Sequence, residues 1–144
     1  MAAEAFRVEL GGWEAMRAEA EPIRFEVFVN EQQVPPESEL DEWDATSLHA
    51  LAFDAAGSAV ATGRLLPDGH IGRMAVLREA RGQGAGAAVL AALMAAARQR
   101  GAHEVVLSAQ THALAFYERA GFVAEGPEYL DCDIPHRLMR RALS

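Results

Sequence analysis

The chain has one cysteine, Cys132, in 144 residues. That excludes an internal disulfide and any metal cluster built from several cysteines, and Cys132 reads as a bystander rather than a nucleophile. No apolar run approaches the ~20 residues a membrane-spanning helix needs. The opening "MAAEAFRVEL" lacks a basic segment followed by an apolar one, so a soluble, cytoplasmic protein with no membrane partner is expected. Positive charge is also in deficit. Thirteen Lys and Arg stand against 21 Asp and Glu, a formal net charge of −8. This argues against binding nucleic acid, which depends on clustered basic side chains, and favours a cationic or neutral small partner.

What is present is a chain that can bury a core. The hydrophobic fraction is 51%, no composition shift or repeat marks a boundary, and residues 1–144 read as one domain. "FRVEL" predicts a first strand. "GGW" opens a helical stretch through about Val29, with a break or restart expected at Pro22. "NEQQVPPESELDEWDATS" is acidic and proline-bearing, a loop with at most one short helical turn, and its length suits either a functional lid or a solvated acidic segment. "HALAFD", "AVATGRLLP" and "HIGRMAV" predict three strands joined by the short turns "AAGS" and "PDG", an antiparallel meander. From Gly84 to Arg100, Val89, Leu90, Leu93, Met94 and Ala97 share one helical face, closed by Gly101. "EVVLSAQ" predicts a fifth strand, "THALAFYERAGF" a short helix with Thr111 as N-cap and Gly121 after its end, and "HRLMRRAL" a last strand.

The cluster "RGQGAG" at 81–86 stands where a strand passes into a strong helix. Glycine costs a helix roughly 1 kcal/mol relative to alanine, so three at its mouth need a reason. One is a tight turn; the other is an anion bound by open backbone N–H groups at the positive end of the helix. A dinucleotide fingerprint fits worse, since the Gly-x-Gly-x-x-Gly order is absent, and no P-loop lysine follows.

"RMAV" on a strand, "RGQGAG" opening a helix, a strand ending in "AQ" and a helix bearing "AFYERAGF" together resemble the GCN5-related N-acetyltransferase (GNAT) superfamily over nearly the whole chain. "VFVNEQQVP", "ELDEWD", "GPEYLDCDIPH" and "LMRRAL" further resemble its small ElaA-like branch. The resemblance implies an α/β GNAT fold: a mixed, mostly antiparallel central sheet of six to seven strands flanked by helices, in the order β-α-α-β-β-β-α-β-α-β-β. It implies acetyl-CoA as cosubstrate, no metal, a small-molecule amine acceptor, and a monomer or homodimer.

Carried onto this chain, the donor pyrophosphate falls at Gly82, Gln83, Gly84, Ala85 and Gly86, where bare glycines permit close backbone approach. Arg81 either adds charge there or is a solvated loop residue. The pantetheine amides pair with the backbone of Met74, Ala75 and Val76 as an added strand would. The "MAV" and "LSA" strands diverge to admit the thioester, near Gln110, which stands where many relatives have asparagine, and Phe116.

Tyr117 matches the tyrosine that gives a proton to the departing thiolate, or else is one aromatic of the core. His136, in "DIPH", resembles a histidine that accepts the amine proton, a task that suits an imidazole, or else orders its loop. Glu31, Glu42 and Asp44 are alternative bases or ammonium ligands, or members of a solvated acidic face. His49, His70, His103 and His112 form no metal pattern and read as surface or turn residues. Arg24, Phe28, Asn30, Glu31 and Gln32 are candidates for the acceptor wall, although one helix cannot turn all five to one side. The competing classes are a non-catalytic acetyl-CoA-binding protein and an acetyltransferase acting on a protein or peptide amine. A nucleotide hydrolase lacks its lysine and a clear magnesium-binding carboxylate pair.

Overall fold

Within Leu48–Phe53, Ala50 and Ala52 turn to one apolar cluster while Leu51 and Phe53 turn to another. That alternation is what a strand covered on both faces requires, and it sets the layering of the molecule. The structure, a computed structural model, describes residues 6–143. Its elements are β1 (Arg7–Gly11), α1 (Trp13–Arg24), a π-helical segment Phe25–Glu31, α2 (Pro36–Glu39), a 3₁₀ turn Glu42–Thr46, β2 (Leu48–Phe53), β3 (Ala59–Leu65) and β4 (His70–Val76). After a 3₁₀ turn Arg78–Ala80 come α3 (Ala85–Gln99), β5 (Glu104–Gln110), a 3₁₀ turn Thr111–Ala113, α4 (Leu114–Arg119), β6 (Val123–Asp131) and β7 (Ile134–Ala142).

The strands form one seven-stranded sheet in the order β1-β2-β3-β4-β5-β7-β6. Among the described residues only β4 and β5 run parallel, so the expected mixed, mostly antiparallel sheet and the β2–β4 meander both hold. α3 covers one face through Val89, Leu90, Leu93, Met94 and Ala97, the stripe read from the sequence, and Tyr117 and Phe122 extend that cluster. α1 covers the other face through Met16, Ala20 and Ile23, with Val27 following from the π-helical segment.

Three local expectations are corrected. Pro22 does not break the first helix; α1 runs through it and passes into the π-helical segment, with the Phe25 amide shared between the Glu21 and Pro22 carbonyls. A proline removes one rung and crowds the carbonyl four residues back, and a widened turn is one way a helix accommodates such a fault while its apolar face stays on the sheet. The acidic segment holds two helical turns rather than one, and its Glu39 and Asp44 are buried, not solvated. Thr111 makes no capping hydrogen bond; it opens a 3₁₀ turn ahead of α4.

One irregularity shapes the sheet. Between the pairs Thr62 with Ala75 and Arg64 with Gly72, β3 advances two residues while β4 uses three. The extra residue makes a bulge in which Arg73 takes φ +49°, a conformation rare for a bulky side chain. It also inverts the alternation, so that Ile71, Met74 and Val76 all face α3.

Candidate functional site

β4 and β5 pair only at His70 with Val106 and Ile71 with Leu107. Beyond the Arg73 bulge the strands separate, leaving Met74–Val76 on one side of a fork and Ser108–Gln110 on the other. The divergence expected of "MAV" and "LSA" is therefore present, and it opens where the bulge lies. Met74 is seated over Gly63, where a Cβ would meet its sulfur at 2.5 Å.

At the open end of the fork stands the mouth of α3. Gly84 is its N-cap at φ +98°, with no side-chain cap and no acidic residue in the first turn. The Ala88 amide donates to the Gly84 carbonyl at 3.0 Å, so helix geometry leaves the amides of Gly84, Ala85, Gly86 and Ala87 without intrahelical acceptors. A Cβ placed on Gly82 or Gly84 would meet nothing within 4 Å: the glycines face open space, as a backbone anion site needs. Gly86 instead packs, its notional Cβ lying 3.3 Å from Val76 and 3.4 Å from Phe116. Gln83 ties the loop to itself through the Glu79 carbonyl at 3.1 Å.

Phe116 and Tyr117 of α4 close the α3 side of the fork. The Tyr117 ring stands edge-on to Phe116 at 5.0 Å and to Phe122 at 5.9 Å. It is 9% exposed, and burial pushes its pKa up to about 12. The phenol therefore keeps its proton through the neutral range, and among the described residues its hydroxyl has no hydrogen-bond partner.

His136 belongs to the opposite face. It pairs with Gln110 across β5 and β7, in register with Ser108 and Leu138, while Leu107, Ala109 and Met139 turn into the α3 core. His136 is 8% exposed. Its Nδ1 donates to the Ile134 carbonyl at 2.7 Å, which leaves Nε2 as the ring's basic nitrogen. Tyr129 stacks on the imidazole at 6.0 Å with its hydroxyl bonded to Ser108 Oγ. Gln110 donates to Gln32 Oε1 at 2.8 Å and accepts from His112 Nε2 at 2.5 Å.

The five acceptor-wall candidates divide. Gln32 reaches the fork through Gln110. Phe28 packs into the α1 cluster. Asn30 turns outward to Glu26 at 2.9 Å. Glu31 is bound by Arg81 at 2.6 Å and Arg78 at 3.2 Å, and chiefly the Arg81 hydrogen bond holds its carboxyl below the usual range. Arg24 is not a wall residue. It is 1% exposed, and its guanidinium donates to Glu39 Oε1 at 2.5 Å, to both Asp44 oxygens at 2.8 and 3.1 Å, and to the Glu39 carbonyl at 2.9 Å.

Arg64 and Arg73 complete that buried network. Arg64 grips Asp41 at 2.6 and 2.8 Å and Asp44 at 2.8 Å. Arg73 donates to the Glu39 carbonyl at 3.0 Å and to Asp41 at 3.2 Å, tying the acidic segment to the bulge. Burial alone would raise Asp44, but Arg24 and Arg64 outweigh it and hold the carboxyl low; Asp44 is structural, not a base. His49 is also buried, against expectation, with Nε2 donating to the Asp44 carbonyl at 2.9 Å and its ring against Trp13. Cys132 is exposed at the β6–β7 turn, where desolvation and the Asp131 carboxylate push its thiol up, away from the reactive thiolate. Among the described residues no group of three or more His, Cys, Asp or Glu could hold a metal ion, and no helix is long and apolar enough to cross a membrane.

Sequence reasoning missed Arg64, Arg73, Arg78 and Tyr129. Two of them, Arg73 at the head of "RMAV" and Tyr129 inside "GPEYLDCDIPH", stood in quoted motifs without being given a role of their own.

Comparison with known proteins gives consistent matches. Residues 14–143 match the family model described as an acetyltransferase (GNAT) domain. The uncharacterized N-acetyltransferase YjcF of Bacillus subtilis is 38% identical over 122 residues, which cover 83% of this chain and 87% of that protein. An acyl-CoA N-acyltransferase from Pseudomonas aeruginosa has a TM-score of 0.83 at 35% identity, covering 96% of this chain and 100% of that one. ElaA of Escherichia coli has a TM-score of 0.81 at 27% identity, with coverages of 95% and 99%.

Proposed function

The chain belongs to the GNAT acetyltransferase family, and from that membership we propose that it moves the acetyl group of acetyl-CoA to a primary amine of a small molecule by direct attack in a ternary complex. The fork between β4 and β5 carries this reading, because a buried protonated phenol stands on one side of it and an oriented imidazole on the other. The residues present fit the donor. The amides from Gly82 to Gly86 suit a pyrophosphate, with Arg81 supplying charge, and the unpaired edge at Met74–Val76 suits the pantetheine amides.

Acetyl-CoA supplies an activated acyl carbon and a thiolate leaving group. His136 Nε2 takes the proton the amine must lose as its nitrogen bonds to that carbon, and the Tyr117 hydroxyl gives a proton to the sulfur as the carbon–sulfur bond breaks. A backbone N–H of the Met74–Val76 edge polarises the carbonyl, an interaction worth about 3 kcal/mol of barrier. Gln110 and Gln32 bound the acceptor side, and the net charge of −8 favours an amine that arrives as a cation.

The test is a panel of amino sugars, polyamines, amino acids and short peptides incubated with acetyl-CoA, reading free thiol. Amine-dependent release with a small amine supports the reading. Release with peptides alone would move the acceptor to a protein amine. Tight acetyl-CoA binding with no amine-dependent release would leave a non-catalytic binder.

A further inference from the structure

Glu31 ends the π-helical segment on the acceptor side of the molecule, yet its carboxylate reaches across to the donor loop. One oxygen accepts from Arg81 Nη2 at 2.6 Å and the other from Arg78 Nη2 at 3.2 Å. The carboxylate is 15% exposed, against 43% for Arg81 and 77% for Arg78, so the glutamate is the fixed partner and the arginines come to it. Arg81 is held at a second point, its Nε donating to the Val76 carbonyl at 3.0 Å. One guanidinium thus lies across the end of the β4 edge with its strongest contact to a protein carboxylate, although its own backbone adjoins Gly82 at the helix mouth.

We propose that Glu31 is a positioning residue that sets donor affinity by holding Arg81 away from the phosphate site. The inference rests on the donor reading given above. Carboxylates and phosphates compete for the same planar face of a guanidinium, and both prefer to be gripped by two parallel N–H groups. With Nη2 on Glu31 and Nε on the Val76 carbonyl, that edge of the Arg81 guanidinium is already taken, so it cannot grip a pyrophosphate at Gly82–Gly86 without leaving Glu31, and it cannot keep its bond to Val76 while a donor amide pairs there. Donor binding therefore displaces Arg81 from Glu31 and leaves that carboxylate with Arg78 alone. The pair is partly exposed and the effect is modest and salt-dependent.

Calorimetric titration of coenzyme A into the full chain provides the test. Glu31→Gln should tighten binding about two- to fivefold at low salt, the reverse of what loss of a donor contact or of folding would do. Removing a negative charge near an anion site would also tighten binding without any exchange of partners, and two further variants separate the causes. Glu31→Asp keeps the charge but shortens the reach, and should tighten binding as the glutamine does. In an Arg81→Ala background Glu31→Gln should have no effect, so the two substitutions are non-additive. A gain from Glu31→Gln that persists without Arg81, or no gain in either single variant, overturns the assignment. Failure of the unaltered chain to bind coenzyme A overturns the donor reading together with it, and is recognisable before any variant is made.

Discussion

His136 lies directly opposite Gln110 in the ladder between β7 and β5, and Gln110 is joined side chain to side chain with Gln32, 78 residues away. The imidazole thus sits where the sheet, the end of the π-helical segment and the fork converge, with Nδ1 occupied and Nε2 as its only basic nitrogen.

If His136 accepts the amine proton, turnover should fall on the acidic side of its pH profile, and His136→Ala should remove that limb while coenzyme A affinity is kept. The measurement is a pair of profiles on two acceptors of different basicity. A limb that moves with the acceptor and ignores the substitution would return His136 to a loop-ordering role.

Tyr117→Phe should lower kcat about 100-fold or more with donor affinity unchanged, since the ring contacts with Phe116 and Phe122 need no oxygen. Wild-type turnover in a folded variant would make Tyr117 a core aromatic and nothing else.

Gly84→Asn and Gly84→Val should separate two roles of one residue. Asparagine tolerates the left-handed conformation, so Gly84→Asn should keep thermal stability near wild type yet weaken coenzyme A binding, because any side chain here enters the space an anion would use. Valine should also destabilise the fold, by about 1–2 kcal/mol. Calorimetry and thermal melts on the two variants read these effects separately, and unchanged affinity in Gly84→Asn would remove the phosphate site from the glycine loop.

Arg24→Ala should destabilise the fold by about 3–5 kcal/mol, the usual consequence of stranding a buried carboxylate, here Glu39, while Asp44 keeps Arg64. Urea unfolding measures this. A stable variant with a raised acceptor KM would restore Arg24 to the acceptor wall.

His49 predicts a pH dependence of stability. Burial lowers its folded pKa, so between that value and the unfolded value near 6.5 the unfolded chain binds the extra proton, and stability is lost as pH falls through the unfolded value. Asp41 and Asp44, whose folded values are depressed, add their own loss only at lower pH, below the ordinary carboxylate range. Urea unfolding at pH 7.5 and 5.5 should show a decline that His49→Gln abolishes; an equal decline in the variant would exclude His49 as the source.

What could be read from the sequence was local. The α3 stripe, the glycines at its mouth and the hairpin turns are set by spacing within a few residues, and the structure bears them out. Arg24 was misassigned because its surroundings depend on Glu39 and Asp44, 15 and 20 residues along a segment with no regular period. Burial of a charge leaves no mark on the residues beside it. The Arg73 bulge was invisible for a related reason: register is a property of two strands together, and neither "AVATGRL" nor "HIGRMAV" alone shows that one outnumbers the other. Glu31 was singled out for the acceptor wall or as a base, whereas it faces two arginines whose positions follow only from the turn after β4.

The Arg73 bulge means that the opening in the sheet is encoded in chain length and not in any side chain. Exchanging the residues along Met74–Val76 for others of similar shape would leave the gap intact, because a count of peptide units holds it apart. Excising the single residue Arg73 would do the reverse. Ile71 and Met74 would then stand two residues apart, so Met74–Val76 would keep their sides by ordinary alternation, but β4 would match β3 residue for residue and a chain unchanged at every other position would lose its slot.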